Sequence, residues 1–158
     1  MQLTKPPAMK AIMMIRRPVA EVFEAFVDPA ITAKFWFSHG SGPLESGARV
    51  RWDWRWYDVS TEVQVLAFER DARLSIEWGD EGSRTIAAWT FTALSPDRTF
   101  VRIDETGYGG NGDAMVAAAL DSTGGFHLVL AGAKAWLEHG IELGVVPDHL
   151  PSDAHQLA

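Results

Sequence analysis

The chain has 158 residues, 47% of them hydrophobic, a size and composition that suit one domain with one core. Its formal charge of −7, with no run of Lys or Arg, argues against a nucleic-acid backbone or an anionic bilayer as partner. The absence of cysteine excludes disulfides, thiolate nucleophiles and Cys-ligated zinc, the N-terminus has no apolar run of signal-peptide length and no run anywhere reaches membrane-spanning length, so the expected location is cytoplasmic.

Residues 9–16 (MKAIMMIR), short and apolar between Pro6-Pro7 and Pro18, predict a first strand. Pro18 suits the first turn of a helix, and Val19, Val22, Phe23 and Phe26 recur at the spacing of an amphipathic helix that ends at Asp28. Asp28-Pro29 then reads as an N-cap followed by proline at the first helical position, opening a second short helix through about Phe35. From Ala48 the period changes to two, with Val50, Trp52, Trp54 and Trp56 alternating with Arg49, Arg51, Asp53 and Arg55, which predicts a strand with one aromatic and one charged face. Runs at 59–68, 72–78, 84–94 and 99–106 are rich in β-branched and aromatic residues. Hairpin-length turns separate them, so they predict an antiparallel meander.

After Gly109-Gly110 the pattern turns helical: an Ala-rich stretch over 113–120, then Asp121-Ser122-Thr123 as the cap of a longer helix that begins near Ser122. On that helix Phe126, Leu130, Ala133, Leu137 and Gly140 share a buried face, and His127, Lys134, Glu138 and Glu142 form the wet flank. A helix cannot run past Pro147, so the chain divides into an N-terminal extension (1–8), one domain (9–144) and a C-terminal tail (145–158) that is ordered only if it docks. The fold class is α+β: a curved antiparallel sheet of about six strands, two short helices after the first strand, and a long C-terminal helix held in the concave face.

Several strings carry a resemblance. The opening is Pro18-Val19-Ala20-Glu21-Val22-Phe23-Glu24-Ala25-Phe26, then Asp28-Pro29, then Trp36; the end is Asp121-Ser122-Thr123-Gly124-Gly125-Phe126, followed by Leu130 to Gly140. With this order of elements, the chain resembles the START-like helix-grip superfamily, also called SRPBCC. Within it, the strings are similar to the branch named for an activator of a heat-shock-protein ATPase. The resemblance implies a cavity between sheet and helix. Members bind lipids, hormones or polyketides there, a few are cyclases or hydrolases, and one branch binds a chaperone. A shared fold does not fix the chemistry, which has to come from the site.

The candidate ligand contacts are aromatic first. Trp52, Trp54 and Trp56 form a wall that offers apolar area and π faces, with Trp36, Trp78, Trp89 and Phe91 beside it. On the opposing helix Phe126, Leu130 and Ala133 face them, and the small Ala133 and Gly140 leave room that a neighbouring indole from Trp78 or Trp89 could equally fill. Such aromatics also make ordinary core. Glu105 shares the parity of Val101 and Ile103 and is expected to point inward. There it is either a ligand partner or general acid/base, or else a partner for a buried indole N–H or a strand-end residue reaching solvent. His39, after the second helix, is a candidate rim contact as well as an ordinary loop histidine. The five histidines lack metal-ligand spacing, so no metal or cofactor is expected. The four glycines within residues 107–112 read as a flexible turn that, with 113–120, could form a lid. The leading expectation is an apolar or aromatic small-molecule ligand. The alternatives are a cyclase- or hydrolase-type enzyme using Glu105, and an interaction module, co-chaperone-like or homodimeric.

Overall fold

The computed structural model describes residues 2–158. Seven strands form one antiparallel sheet: β1 (Met9–Ile15), β2 (His39–Gly40), β3 (Arg49–Trp54), β4 (Val59–Glu69), β5 (Arg73–Trp78), β6 (Thr85–Ser95) and β7 (Arg98–Thr106). Their order is β1-β7-β6-β5-β4-β3-β2, so the meander from β3 to β7 is as expected and β1 returns to pair with β7, from Met9 opposite Glu105 to Ile15 opposite Thr99. The seventh strand is β2, only two residues long and paired with Asp53 and Trp52; no alternating pattern can show in so short a segment. Bulges between Val65 and Ala67 and between Ala93 and Ser95 interrupt the register, and bulged strands bend and twist more strongly.

The alternation of the third strand stops two residues early, at Trp54. Arg55–Tyr57 form a 3₁₀ turn closed by Asp58 at φ 51°, so Trp56 leaves the aromatic face of Trp52 and Trp54 and is 43% exposed. Helix α1 (Val19–Val27) buries Val22, Phe23 and Phe26 against the sheet, where Phe23 and Phe91 meet edge to face at 5.1 Å. Helix α2 (Pro29–Thr32) starts as expected, with the Ala30 N–H donating to Asp28 Oδ1 at 3.0 Å, but ends short of Phe35. Thr32 is buried and donates to the Ala25 carbonyl at 2.6 Å, and successive turns then carry Phe35, Trp36 and Phe37 into the core.

The C-terminal helix is one element, α3 (Gly112–His139), rather than a short Ala-rich stretch and a second helix from Ser122. The reason is local. Asn111 caps the helix by accepting from the Ala114 N–H, and alanines 117–119 propagate it at low cost. The expected cap residues have other uses: Ser122 donates to Glu105, and Thr123 donates back to the Ala119 carbonyl at 2.6 Å. By length and composition α3 could cross a membrane, but here it lies along the sheet.

The buried face of α3 holds Phe126, Leu130 and Ala133, with Val129 and Gly132 beside them, while Leu137 is half-buried. Gly140 is not on that face; at φ 66° it is the left-handed cap that ends the helix. Nor are Lys134 and Glu138 on a fully wet flank. Lys134 Nζ donates to the Met14 carbonyl at 2.9 Å and Glu138 Oε2 accepts from the Arg16 N–H at 3.0 Å, so the pair covers the free edge of β1. Although burial works against it, those donors hold the Glu138 carboxyl below its ordinary range. The tail docks. Pro147 is the third residue of a separate short helix, α4 (Val145–His149), where its missing N–H costs no helical bond, and a 3₁₀ turn follows over Ser152–Leu157.

Candidate functional site

The aromatic residues of the sheet and of the turn after α2 converge on Trp36. Its ring centroid lies 4.8 Å from Trp52, 5.6 Å from Trp78, 5.6 Å from Phe126 and 5.9 Å from Trp89, so one side chain from an irregular segment joins strands β3, β5 and β6 to helix α3. Such edge and tilted pairs add about 0.5–1.5 kcal/mol each beyond the area they bury.

On one side of this hub a space of about 530 Å³ remains open. Trp36 and Trp78 form one wall, Gly125, Phe126 and Val129 of α3 another, and Val146 and Leu150 of the docked tail a third. A second space of about 470 Å³ adjoins it toward Trp54 and Val59, and Trp36, Tyr57, Trp78 and Val146 border both. Tyr57 donates its hydroxyl proton to the Val146 carbonyl and thereby ties the tail to the turn after β3.

Glu105 lies behind the wall. It points inward, as its strand parity predicts, and is 2% exposed. Its Oε2 accepts from Trp78 Nε1 and Thr85 Oγ1, each at 2.7 Å; its Oε1 accepts from Tyr108 OH at 2.7 Å and from Ser122 Oγ. Four donors fill the acceptor capacity of one carboxyl group, which meets the cost of burying it. The arrangement joins β5, β6, β7 and α3 at one point. Burial pushes the Tyr108 phenol above its ordinary range, and the hydrogen bond to Glu105 adds to the rise. Glu105 itself does not border the space, whereas Ser122 and Trp78 do.

The other expected contacts separate into three places. Trp36, Trp78 and Phe126 border the larger space, and Trp54 borders its neighbour. Trp52, Trp89, Phe91, Leu130 and Ala133 are core residues behind them, all at most 5% exposed, and the Trp89 indole N–H is buried without a partner. Ala133 therefore leaves no room at the space. His39 and Trp56 border neither space. His39 Nδ1 stands 3.2 Å from Asp53 Oδ2, in a shallow polar cleft with Arg51 and Ser60; the Ser60 hydroxyl and then the Arg51 guanidinium hold the Asp53 carboxyl down to about 2. Among the described residues, no three His, Asp or Glu side chains are grouped to hold a metal.

Sequence reading missed Tyr57, Ser122, Gly125 and the tail residues Val146 and Leu150 as wall residues. One signal was available: two adjacent glycines inside a helix each cost about 1 kcal/mol relative to alanine, and a cost of that kind asks for a reason.

The fold has many solved counterparts. Protein SSP2350 from Staphylococcus saprophyticus is 26% identical with a TM-score of 0.73, over 87% of this chain and 96% of its own. The Aha1 dimer from Colwellia psychrerythraea is 15% identical with a TM-score of 0.69, over 85% and 98%. The di-domain ARO/CYC BexL of the BE-7585A biosynthetic pathway is 13% identical with a TM-score of 0.74, over 84% of this chain and 46% of that one. A comparison with curated proteins finds no match. Residues 16–135, more than half of the chain, match the family described as Activator of Hsp90 ATPase homolog 1-like protein, and the helix-grip architecture agrees, so the chain belongs to that family.

Proposed function

We propose that the protein binds an apolar or aromatic small molecule in the 530 Å³ space between the sheet and α3. The observation that carries this reading is the makeup of the wall: the aromatic side chains of Trp36, Trp78 and Phe126 border a volume within the ordinary range of ligand sites. Gly125 supports it from the other side, because a Cβ built there meets nothing within 4 Å. The fold shared with BexL, whose name places it in a biosynthetic pathway, is compatible with the reading and does not identify the ligand.

The test uses N-phenyl-1-naphthylamine, a neutral aromatic probe whose emission rises on leaving water. Wild-type protein is expected to enhance its emission saturably. Gly125→Phe, which places a ring into the space from a helix surface that has room for it, is expected to abolish the enhancement while the far-ultraviolet circular dichroism stays unchanged. No enhancement by the wild type, or equal enhancement by the folded variant, overturns the proposal.

A further inference from the structure

The walls of the space carry polar groups as well as rings, and the direction of their hydrogen bonds restricts what the space can hold. Ser122 has one proton, which it gives to Glu105, so only its lone pairs remain for a guest. Tyr57 likewise gives its proton to the Val146 carbonyl and keeps an accepting oxygen. The Trp78 N–H, which would otherwise be a donor on the same wall, is taken by Glu105 at 2.7 Å. Glu105 is thus the residue that fixes the polarity of the wall: with its four acceptor sites filled from Trp78, Thr85, Tyr108 and Ser122, it consumes donors and leaves acceptors. Asp121, also on the wall, brings a carboxyl group that accepts when ionised. The one wall side chain that keeps a donor and nothing else is Trp36, whose indole N–H makes no hydrogen bond among the described residues. His149 and His155, on the exposed tail, can act either way.

Resting on the binding reading above, we infer that the ligand is a hydroxyl-bearing aromatic or apolar molecule, a phenol or an alcohol, that donates its proton to Ser122. A ketone or an ether of the same shape finds donors only at Trp36 and at the exposed tail histidines, away from the Ser122 and Tyr57 oxygens, which it meets lone pair to lone pair. A hydroxyl group matches both kinds of neighbour, because it gives one hydrogen bond and accepts another. The ether forgoes the hydrogen bond to Ser122, so discrimination against it exceeds what contact area alone supplies by about the net worth of one bond.

The experiment compares 2-naphthol, 2-methoxynaphthalene and naphthalene by equilibrium dialysis against wild type, Ser122→Ala and Ser122→Thr. Wild type is expected to bind 2-naphthol about three- to tenfold more tightly than 2-methoxynaphthalene, the span that one such hydrogen bond supports. Ser122→Ala is expected to bring the two within about twofold of each other while naphthalene binding is kept. Ser122→Thr, which retains the acceptor, is expected to keep the preference. If wild type binds all three probes and does not favour the naphthol, this inference is overturned and the binding reading stands. A preference that survives in Ser122→Ala also overturns it. If wild type binds none of them, both fall together. The wild-type comparison decides the ligand class on its own, whether or not the variants fold.

Discussion

Beyond its first turn, helix α3 carries glycines in two places, and they answer to opposite conditions. A Cβ at Gly132 would stand 3.0 Å from the Phe35 Cβ and 3.3 Å from the Phe35 carbonyl oxygen, so glycine there lets the turn after α2 approach the helix. At Gly124 and Gly125, less than three turns earlier, a Cβ would meet nothing within 4 Å. The first marks a closed end of the grip, where Phe26, Trp89, Leu130 and Ala133 are all at most 2% exposed. The second, an exposed pair, marks an open end, where Gly125 borders the space between the same helix and the same sheet. Packing explains a glycine at the closed end; at the open end it does not, and the binding proposed above would give Gly125, which borders the space, a reason.

The closed end should therefore respond to substitution as a core and the open end should not. The largest effect is expected for Phe26→Ala, which removes a 2% exposed ring in contact with Phe35, Trp89 and Phe91 at centroid distances of 5.4–6.0 Å. Urea denaturation should show a loss of about 3–5 kcal/mol. Because Phe26 borders neither space, naphthylamine binding by the remaining folded protein should be unchanged. Next comes Gly132→Ala. Helix propensity favours the alanine by about 1 kcal/mol, yet overpacking against Phe35 costs about 1–3 kcal/mol, so a net loss of stability is expected. A gain measured by the same denaturation would mean that the turn at Phe35 yields freely and that the closed end is not closed.

Most of this contrast was legible only in part. The strands, the meander and the inward direction of Glu105 follow from a period of two, because a strand's pleat is a local property and survives any tertiary arrangement. The face of α3 that meets the sheet was legible at Phe126, Leu130 and Ala133 for a similar reason. The beginning of α3 was not: Asp121-Ser122-Thr123 has the chemistry of a cap, and only the tertiary position of Glu105 shows where the Ser122 proton goes. The tryptophans were legible as a cluster but not as a wall. Strand alternation cannot tell Trp78, which borders the space, from Trp89, which lies behind it, and it ends before Trp56, where Asp58 turns the chain. The tail is a further case. Tyr57 and Val146 lie 89 residues apart in sequence, and a long-range hydrogen bond of that kind leaves no periodic trace.

The smallest effect is also the one that most sharply separates the two ends. Gly125→Ala should raise stability by about 1 kcal/mol, because alanine removes the backbone-entropy cost of glycine in a helix and its methyl group has open space around it. In urea denaturation the sign should be opposite to that of Gly132→Ala, made by the same chemical change seven residues away on the same helix. A methyl group also takes little from a 530 Å³ space, so naphthylamine binding should weaken only slightly in Gly125→Ala and disappear in Gly125→Phe. If Gly125→Ala instead destabilises the protein, the open space beside α3 is not open in solution. The paired glycines would then owe their place to backbone geometry rather than to a guest.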